Sequence, residues 1–480
     1  MSVINLTVYN SICQAKNLNN RIDTRLKQEL RYMDSNVEYS LFKNEKEISK
    51  MNAMLDSNRL SNTIGLENRL AQLLHINRGL RRKLYVSLYK DGEFPTGLLP
   101  NVLNILKEEQ YIINDARKRP QLKQHKFVLK EPFPALRHYQ KTGTKALEEN
   151  ERGVVVMPTG TGKSLLVAKM IWDLGVNTLI ITPSKAITDH MQNTLIKHFG
   201  KGKVDKLNTK TVKIKKPINI VNIQALVKMK PSALKNIDAV FTDEFHHSSA
   251  ETFREVNLKH LKDVYFRIGV TATNFRNDGS DLALQSVLSN VLFEYSIPQA
   301  IKEGYLIKPE FEFIQTQVQD AGNWQQTYKS AIVENDDRNE IIAKVAIEEA
   351  QKGRHVIILV QQIEHGERLQ KLIKSDNAKF IHGTIKDLER EKLMEDFRKG
   401  KINILIGSTV IGEGVDLPIA DTLIMAGGGK ARSQVMQNVG RVLRVFPGKK
   451  SALIIDFTDE GSRWLEEHSI LREEVYSIYN

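Results

Sequence analysis

From about residue 136, short apolar runs recur between longer mixed stretches: GVVVMP, NTLIITP, INIVNI, DAVFTDE and YFRIGVTAT. Each is bounded by polar residues, the pattern of strands buried on both faces. The stretches between them read as amphipathic helices, and strands alternating with helices predict a doubly wound parallel sheet. The rhythm breaks over LFEYSIPQAIKEGYLIKPEFEF. It resumes with HVIILVQ, KFIHG, INILIGS, DTLIMAG and SALIIDF, which predict a second sheet of the same kind. The two lobes repeat a pattern, not a sequence. RWLEEHSILREEVYSIYN reads as one terminal helix.

The first 130 residues have a different texture. No proline precedes Pro95 and no glycine precedes Gly65. INLTVYNSI (4–12) alternates like a strand, and from Ile22 to Leu74 apolar residues recur at roughly helical spacing, predicting two or three helices. KLYVSLYKDGEFPTGLLPNVLNILKEEQ then reads as strand, Asp-Gly turn, short strand, and helix from Leu99 or Pro100. YIINDAR is a further strand, and LKEPFPALRHYQ, with Pro132 and Pro134, reads as a linker. The expected organisation is an α/β protein: a small mixed N-terminal α/β domain over 1–130, two doubly wound lobes over 131–300 and 301–460, and a C-terminal helix over 461–480.

Composition narrows the class. The apolar fraction is 41% and the charged fraction 26%, as in folded soluble chains. No run approaches the ~18 apolar residues of a membrane span, and the N-terminus lacks the layout of a secretory signal. Cys13 is the one cysteine, which excludes internal disulfides and cysteine-based zinc sites and fits a cytoplasmic location, in a bacterium or a phage-infected host. A net charge of +13 favours a polyanionic partner. It is concentrated at KGKVDKLNTKTVKIKK (201–216), with seven lysines against one aspartate, and at RGLRRKLYVSLYK (78–90), where tyrosines interleave the basic residues.

MPTGTGKSLLVAKM (157–170) is the most specific stretch. Gly160, Thr161, Gly162, Lys163 and Ser164 follow the strand VVVM and open a helix. Glycines let the backbone wrap a phosphate, and free N–H groups at the helix start bind it. Lys163 reaches the β/γ-phosphates and the Ser164 hydroxyl ligates Mg²⁺. Pro158 stands where the generic pattern has its first glycine, and the Pro158–Thr159 start is that of helicase-type phosphate loops.

VFTDEFHHSSAETF (240–253) packs Asp243, Glu244, His246 and His247 into five positions. A phosphate loop needs a carboxylate at the end of a neighbouring strand, and Asp243 ends DAVF, at the edge where open α/β sheets bind ligands. Asp243 is therefore expected to hold Mg²⁺ through water, with Glu244 polarising the attacking water. Adjacent histidines do not have the i, i+4 spacing that places two metal ligands on one helical face. His247 reads as a capping or packing residue and His246 as a coupling residue. In QNVGRVLR (437–444), Gln437, Arg441 and Arg444 lie on one helical face, from which both arginines could meet the γ-phosphate across the cleft.

DEFH resembles motif II of the superfamily-two helicases, and other segments resemble that family's motifs in order. LRHYQ resembles the adenine-reading motif, implying Gln140 as base contact with Arg137 beside it. TPSKAITDHM resembles motif Ia, VNIQAL motif Ib, and VTATNFR motif III, implying coupling roles for Thr271 and Thr273. GSTVIGEGVDLP (407–418) resembles motif V, where Gly414 and Asp416 would meet the nucleotide, and QNVGRVLR resembles motif VI. The motifs span residues ~136–460. The DExHH pattern is closer to XPB-like and phage UvsW-type DNA helicases than to DEAD-box RNA helicases.

The resemblance implies two tandem RecA-like lobes, ATP and Mg²⁺ as cofactors, and a motor that moves on and remodels duplex, forked or branched DNA. Two other readings stay open: the motor of a restriction or defence system, and a nucleic-acid-stimulated ATPase sensor or RNA remodeller that does not separate strands.

Overall fold

The computed structural model describes residues 3–56, 64–115, 121–122, 124–244, 250–272, 281–408 and 417–479. The expectations for His246, His247, Thr273, Gly414 and Asp416 lie outside the described residues.

The N-terminal alternation holds two strands, not one. β1 (Val3–Val8) and β2 (Ile12–Lys16) form an antiparallel hairpin. Tyr9 N–H donates to Ile12 O at 3.0 Å and closes the turn. Asn10 and Ser11, two polar residues in succession, interrupt the alternation there and mark the turn. Helices Asn20–Glu29, Ser35–Asp56 and Ile64–Lys83 follow, the last two flanked by a ribbon of β3 (Arg31–Met33) and β4 (Tyr85–Ser87). β5 (Glu93–Pro95), the helix Leu99–Glu108 and β6 (Ile112–Asp115) complete a mixed sheet ordered β5-β2-β1-β6, with β6 parallel to β1.

The first lobe is a seven-stranded parallel sheet: β7 (Arg152–Val156), β8 (Thr178–Thr182), β9 (Val204–Lys206), β10 (Ile218–Asn222), β11 (Ala239–Asp243), β12 (Phe266–Thr271) and β13 (Val291–Glu294). Their spatial order is β13-β7-β12-β11-β8-β10-β9. Ile180, Phe241 and Ile268 face one core, while Leu179, Ile181 and Val240 face another, so both faces are covered. The second lobe repeats the plan with β14 (Pro309–Gln317), β15 (Val356–Leu359), β16 (Ala378–Ile381), β17 (Ile404–Gly407), β18 (Thr422–Ile424) and β19 (Ala452–Glu460), ordered β14-β19-β18-β15-β17-β16.

The break in the rhythm at LFEYSIPQAIKEGYLIKPEFEF is the handover between sheets. Its start lies in β13, the edge strand of the first sheet, and its end in β14, the edge strand of the second. Edge strands tolerate glutamates on the open side, so neither reads as an apolar run. Buried residues of both lobes join one continuous core through Tyr295, Ile297, Ala300 and Leu306 of the connection and Tyr479 near the C-terminus.

The N-terminal domain is docked on the first lobe. Phe94, Leu98 and Val102 share a core with Val154 and Val156 of β7 and with Leu284 and Val287. A Cβ on Gly97 would lie 2.1 Å from Gln285 O, so that contact admits only glycine. The fully buried Arg267 donates to Ser11 Oγ at 2.9 Å and to Asn257 Oδ1 at 3.0 Å. The end of the expected first domain packs on the lobe instead: Phe127 joins its core, and Lys130 N–H donates to His198 O at 2.6 Å. No helix among the described residues is long and apolar enough to cross a membrane.

Candidate functional site

The phosphate-binding pattern follows β7 directly. Gly160 and Gly162 have φ +85° and +89°, the left-handed region that side chains disfavour. A Cβ on Gly162 would also lie 2.4 Å from Gln140 Nε2. The backbone thus curls tightly before the helix Lys163–Leu174 begins. Thr161 is fully buried and donates from Oγ1 to Pro158 O at 2.7 Å, pinning the curl. Ser164 sits in the helix's first turn, with its neighbours Lys163 and Gly162, on the wall of the cleft described below.

Lys163 is held from two sides. Its Nζ donates to Met157 O at 3.3 Å and lies 3.2 Å from Glu244 Oε1. Glu244 follows the last residue of β11 and has φ +46°, a strained conformation for a side-chain-bearing residue. Its Oε2 accepts from Thr271 Oγ1 at 2.9 Å and from Ala272 N–H at 3.2 Å. Thr271 and Ala272 therefore grip the carboxylate that follows β11. Asp243 lies half-buried beside it. Burial and the neighbouring Glu244 charge push the Asp243 carboxyl above its usual range, and Lys163 opposes the shift.

The second lobe closes on this loop. Gly440, in the helix Arg432–Val442, packs against Thr159, where an added Cβ would meet Thr159 Cβ at 3.0 Å. A Cβ on Gly160 would meet Arg444 Cγ at 2.8 Å. One expectation needs correction: Arg444 is not on the helix that carries Gln437 and Arg441. That helix ends at Val442, and Arg444 pairs as a β-bridge with Leu306, while Ile307 N–H donates to Leu443 O at 2.8 Å. The interlobe connection captures the chain before another helical turn forms. Burial lowers the Arg444 guanidinium to about 10.

A cleft of about 600 Å³ results. Thr159, Gly160, Gly162, Lys163, Ser164, Asp243, Glu244, Arg137, Gln437, Arg441 and Arg444 all line it. Pro158 and Thr161 stand behind the loop, and Thr271 acts on the cleft through Glu244. Gln140 is also behind it, buried, with its amide turned to the phosphate loop. Its Oε1 accepts from Arg137 N–H at 2.9 Å, and its Nε2 donates to Thr161 O at 3.1 Å and Gly162 O at 3.4 Å.

Among the cleft residues that no sequence pattern singles out are His190 and Tyr305. His190, six residues beyond the helix N-cap Ser184, lines it from the helix Lys185–Phe199; burial and the nearby Arg444 charge lower its pKa. Tyr305, in the connection between lobes, lines it with the Arg137 guanidinium 4.5 Å above its ring. Tyr305 carries no motif. Its one sequence signal is an aromatic residue inside the break of the strand rhythm.

The site suits a nucleotide-borne divalent cation. Asp243 Oδ1 is buried without a hydrogen-bond partner among the described residues, and Asp243 shares the cleft with Ser164 and the phosphate loop. A hard cation with oxygen ligands satisfies such an atom.

The sequence pattern described as "Type III restriction enzyme, res subunit" matches residues 133–276, and "Helicase conserved C-terminal domain" matches 337–446. The chain is 24% identical over 385 residues to the DNA 3'-5' translocase XPB2 of Sulfurisphaera tokodaii, covering 69% of this chain and 84% of that one. It is 23% identical to the ATP-dependent DNA helicase uvsW of Enterobacteria phage T4, over 67% and 68% of the two chains. A putative ATP-dependent helicase, IRC3 of Saccharomyces cerevisiae, is 25% identical, and the match spans 52% of its length. Among solved structures, a fragment of a putative HsdR subunit of a type I restriction enzyme from Vibrio vulnificus shares the fold with a TM-score of 0.53 and 21% identity, covering 70% of this chain and 66% of that one.

Proposed function

Because this chain belongs to the superfamily-two helicases of the XPB and UvsW kind, we propose that it hydrolyses ATP to move on and remodel duplex, forked or branched DNA. The observation that carries the chemistry is the single cleft in which Lys163, Asp243 and Glu244 of one lobe face Arg441 and Arg444 of the other. Lys163 would meet the β/γ-phosphates, Ser164 and Asp243 would hold the Mg²⁺ delivered with the nucleotide, and Glu244 would take the proton of the attacking water. Bound Mg²⁺ supplies charge neutralisation at the phosphates. Arg441 and Arg444 stabilise the charge that develops as the γ-phosphoryl leaves, worth roughly 10³–10⁵ in rate in related nucleotidases.

Because those arginines belong to the second lobe, nucleotide favours lobe closure and hydrolysis removes the contact that favours it. Repeated closure becomes movement when each lobe grips the phosphate backbone, and the excess of basic residues suits that partner. The restriction-type likenesses rest on the two lobes alone, which the superfamily shares, so they do not favour a restriction motor.

ATP turnover measured beside single-stranded DNA, duplex, fork, four-way junction and RNA tests this reading. Stimulation by DNA, strongest with branched forms, is the expected result. Equal stimulation by RNA would remove the DNA assignment, and branched DNA no better than linear duplex would remove the remodelling one.

A further inference from the structure

The basic, tyrosine-bearing stretch 78–90 lies outside the nucleotide cleft. It begins in the helix Ile64–Lys83, which with Ser35–Asp56 forms an antiparallel arm rooted on the β3–β4 ribbon. The helices are 22 and 20 residues long, about 30 Å each. Among the described residues they pack mainly on each other. Their seam buries Leu41, Leu73 and Asn77, and Asn44 Nδ2 donates to Asn77 Oδ1 at 2.8 Å, which fixes the register of the pair.

The side of Ser35–Asp56 turned away from that seam has its own pattern. Tyr39, Phe42, Lys43, Lys46 and Lys50 fall on one helical stripe, about 16 Å from end to end. The two rings are 68% and 64% exposed. All three lysines are exposed, without ion pairs among the described residues. The nearby acids are turned to the other helix: Glu45 pairs with Arg81 at 3.0 Å and Glu47 with Arg69 at 3.3 Å. The stripe is therefore cationic and aromatic, with no carboxylate in it. An exposed lysine is ordinary, but two uncovered rings within one helical turn are not.

The chemistry selects the occupant. A duplex keeps its bases stacked on one another, so it offers phosphates to the lysines and nothing to the rings. A protein surface would bury three unpaired ammonium groups, and interfaces are depleted in lysine for that reason. An unpaired strand satisfies both sets, with phosphates for the lysines and free base faces for the rings. Forked and branched DNA present such a strand beside a duplex. The arm is also anchored where the motor works, since Tyr32 of β3 shares a core with Phe253, ten residues after Asp243. Resting on the proposed action on forked or branched DNA, we infer that the arm is a single-strand-binding element. Tyr39 and Phe42 stack unpaired bases at the branch, and Lys43, Lys46 and Lys50 hold the phosphates beside them.

Fluorescence anisotropy of the full chain with oligo(dT), a fork with single-stranded arms and a blunt duplex tests this. The variants are Tyr39→Ala with Phe42→Ala, the exchange Tyr39→Phe with Phe42→Tyr, and Lys43→Gln with Lys46→Gln and Lys50→Gln. The double alanine variant should weaken oligo(dT) and fork binding about tenfold or more, and leave the blunt duplex within about twofold. The exchange should bind as wild type, because the ring faces and not the hydroxyl are used. The lysine variant should flatten the slope of log K against log salt on oligo(dT), by up to ~0.7 per contact removed. Thermal melting and DNA-free ATP turnover should stay unchanged in all three, since every substituted side chain is exposed. Equal losses on fork and blunt duplex, or no loss on either, overturn the inference. So does wild-type self-association that the double alanine variant abolishes, which gives the face to a second copy. Fork preference that survives the double variant removes this inference alone. A wild-type protein whose ATP turnover no DNA stimulates removes the motor reading, and this inference with it.

Discussion

Lys163 Nζ and Glu244 Oε1 form an ion pair at 3.2 Å between the phosphate loop and the end of β11. The pair holds two groups of opposite task within reach of one phosphate chain. A nucleotide drawing Lys163 toward its phosphates frees that carboxylate oxygen for water, while Thr271 and Ala272 keep the other oxygen in place. Glu244→Gln should therefore preserve ATP binding and lower turnover by roughly 10²–10⁴, the usual contribution of a positioned base. Fluorescent-nucleotide binding and phosphate release measure the two arms, and turnover near wild type would refute the assignment.

Gly440 packs the helix Arg432–Val442 against the phosphate loop at Thr159. In Gly440→Ala the new methyl meets Thr159 Cβ at 3.0 Å, so the helix must retreat by a few tenths of an ångström. Arg441, the next residue, retreats with it. The expected result is a fall of about tenfold in kcat with nearly unchanged KM for ATP, because misplacement of a transition-state contact affects rate more than binding. A raised KM at constant kcat would contradict it.

The lysine-rich segment 201–216 divides into two classes. Lys206 is paired with Asp189, and Lys216 donates to Lys201 O at 3.0 Å and Val204 O at 2.8 Å, so both tie down β9. Lys201, Lys203, Lys210, Lys213 and Lys215 are exposed, without ion pairs among the described residues. Replacing these five by glutamine should flatten the slope of log K against log salt for duplex binding, by up to ~0.9 per phosphate contact removed, with little effect on stability. Lys216→Ala should instead lower the melting temperature. An unchanged slope would make the five lysines guards of an edge strand.

His365 gives the second lobe a pH dependence. It is fully buried, with Nε2 donating to Asn339 Oδ1 at 2.8 Å, because Asn339 Nδ2 already donates to Val333 O. Its Nδ1 has no hydrogen-bond partner among the described residues. Burial first, then the charges of Arg338 and Arg368, lowers its pKa to about 3. The unfolded imidazole titrates near ~6.5, so below that pH the unfolded chain binds a proton that the folded lobe refuses. This contribution to stability is complete above ~6.5 and declines toward pH 3, by up to about 1.4 kcal/mol per pH unit. Urea unfolding at pH 7.5 and 5.0 should show the loss, and His365→Gln should reduce it. Equal acid sensitivity in the variant would exclude His365 as the source.

Much of the architecture was legible in short-range pattern. Strands buried on both faces are recognisable as apolar runs wherever they lie inside a sheet, as β8, β11, β15 and β17 do. Edge strands are half solvated, so β9, β13 and β14 were hidden within a lysine run and a break in rhythm. The β1–β2 turn is marked only by the successive polar residues Asn10 and Ser11, too short a break for periodicity to divide the stretch into two strands.

For the site, the sequence by itself determined which residue types could handle a nucleotide: glycines before Lys163, the carboxylates where β11 ends, and arginines spaced for a shared face. It could do so because phosphate chemistry demands those types at short spacings. Tertiary structure alone decided how they are held. Strand order brings β12 beside β11 and so Thr271 onto Glu244, and lobe closure sets Gly440 on Thr159. The connection between the lobes draws Arg444 off its helix and places Tyr305 beside Arg137, some 168 positions upstream in sequence. No local pattern encodes such contacts, because they form only when separately folded sheets pack.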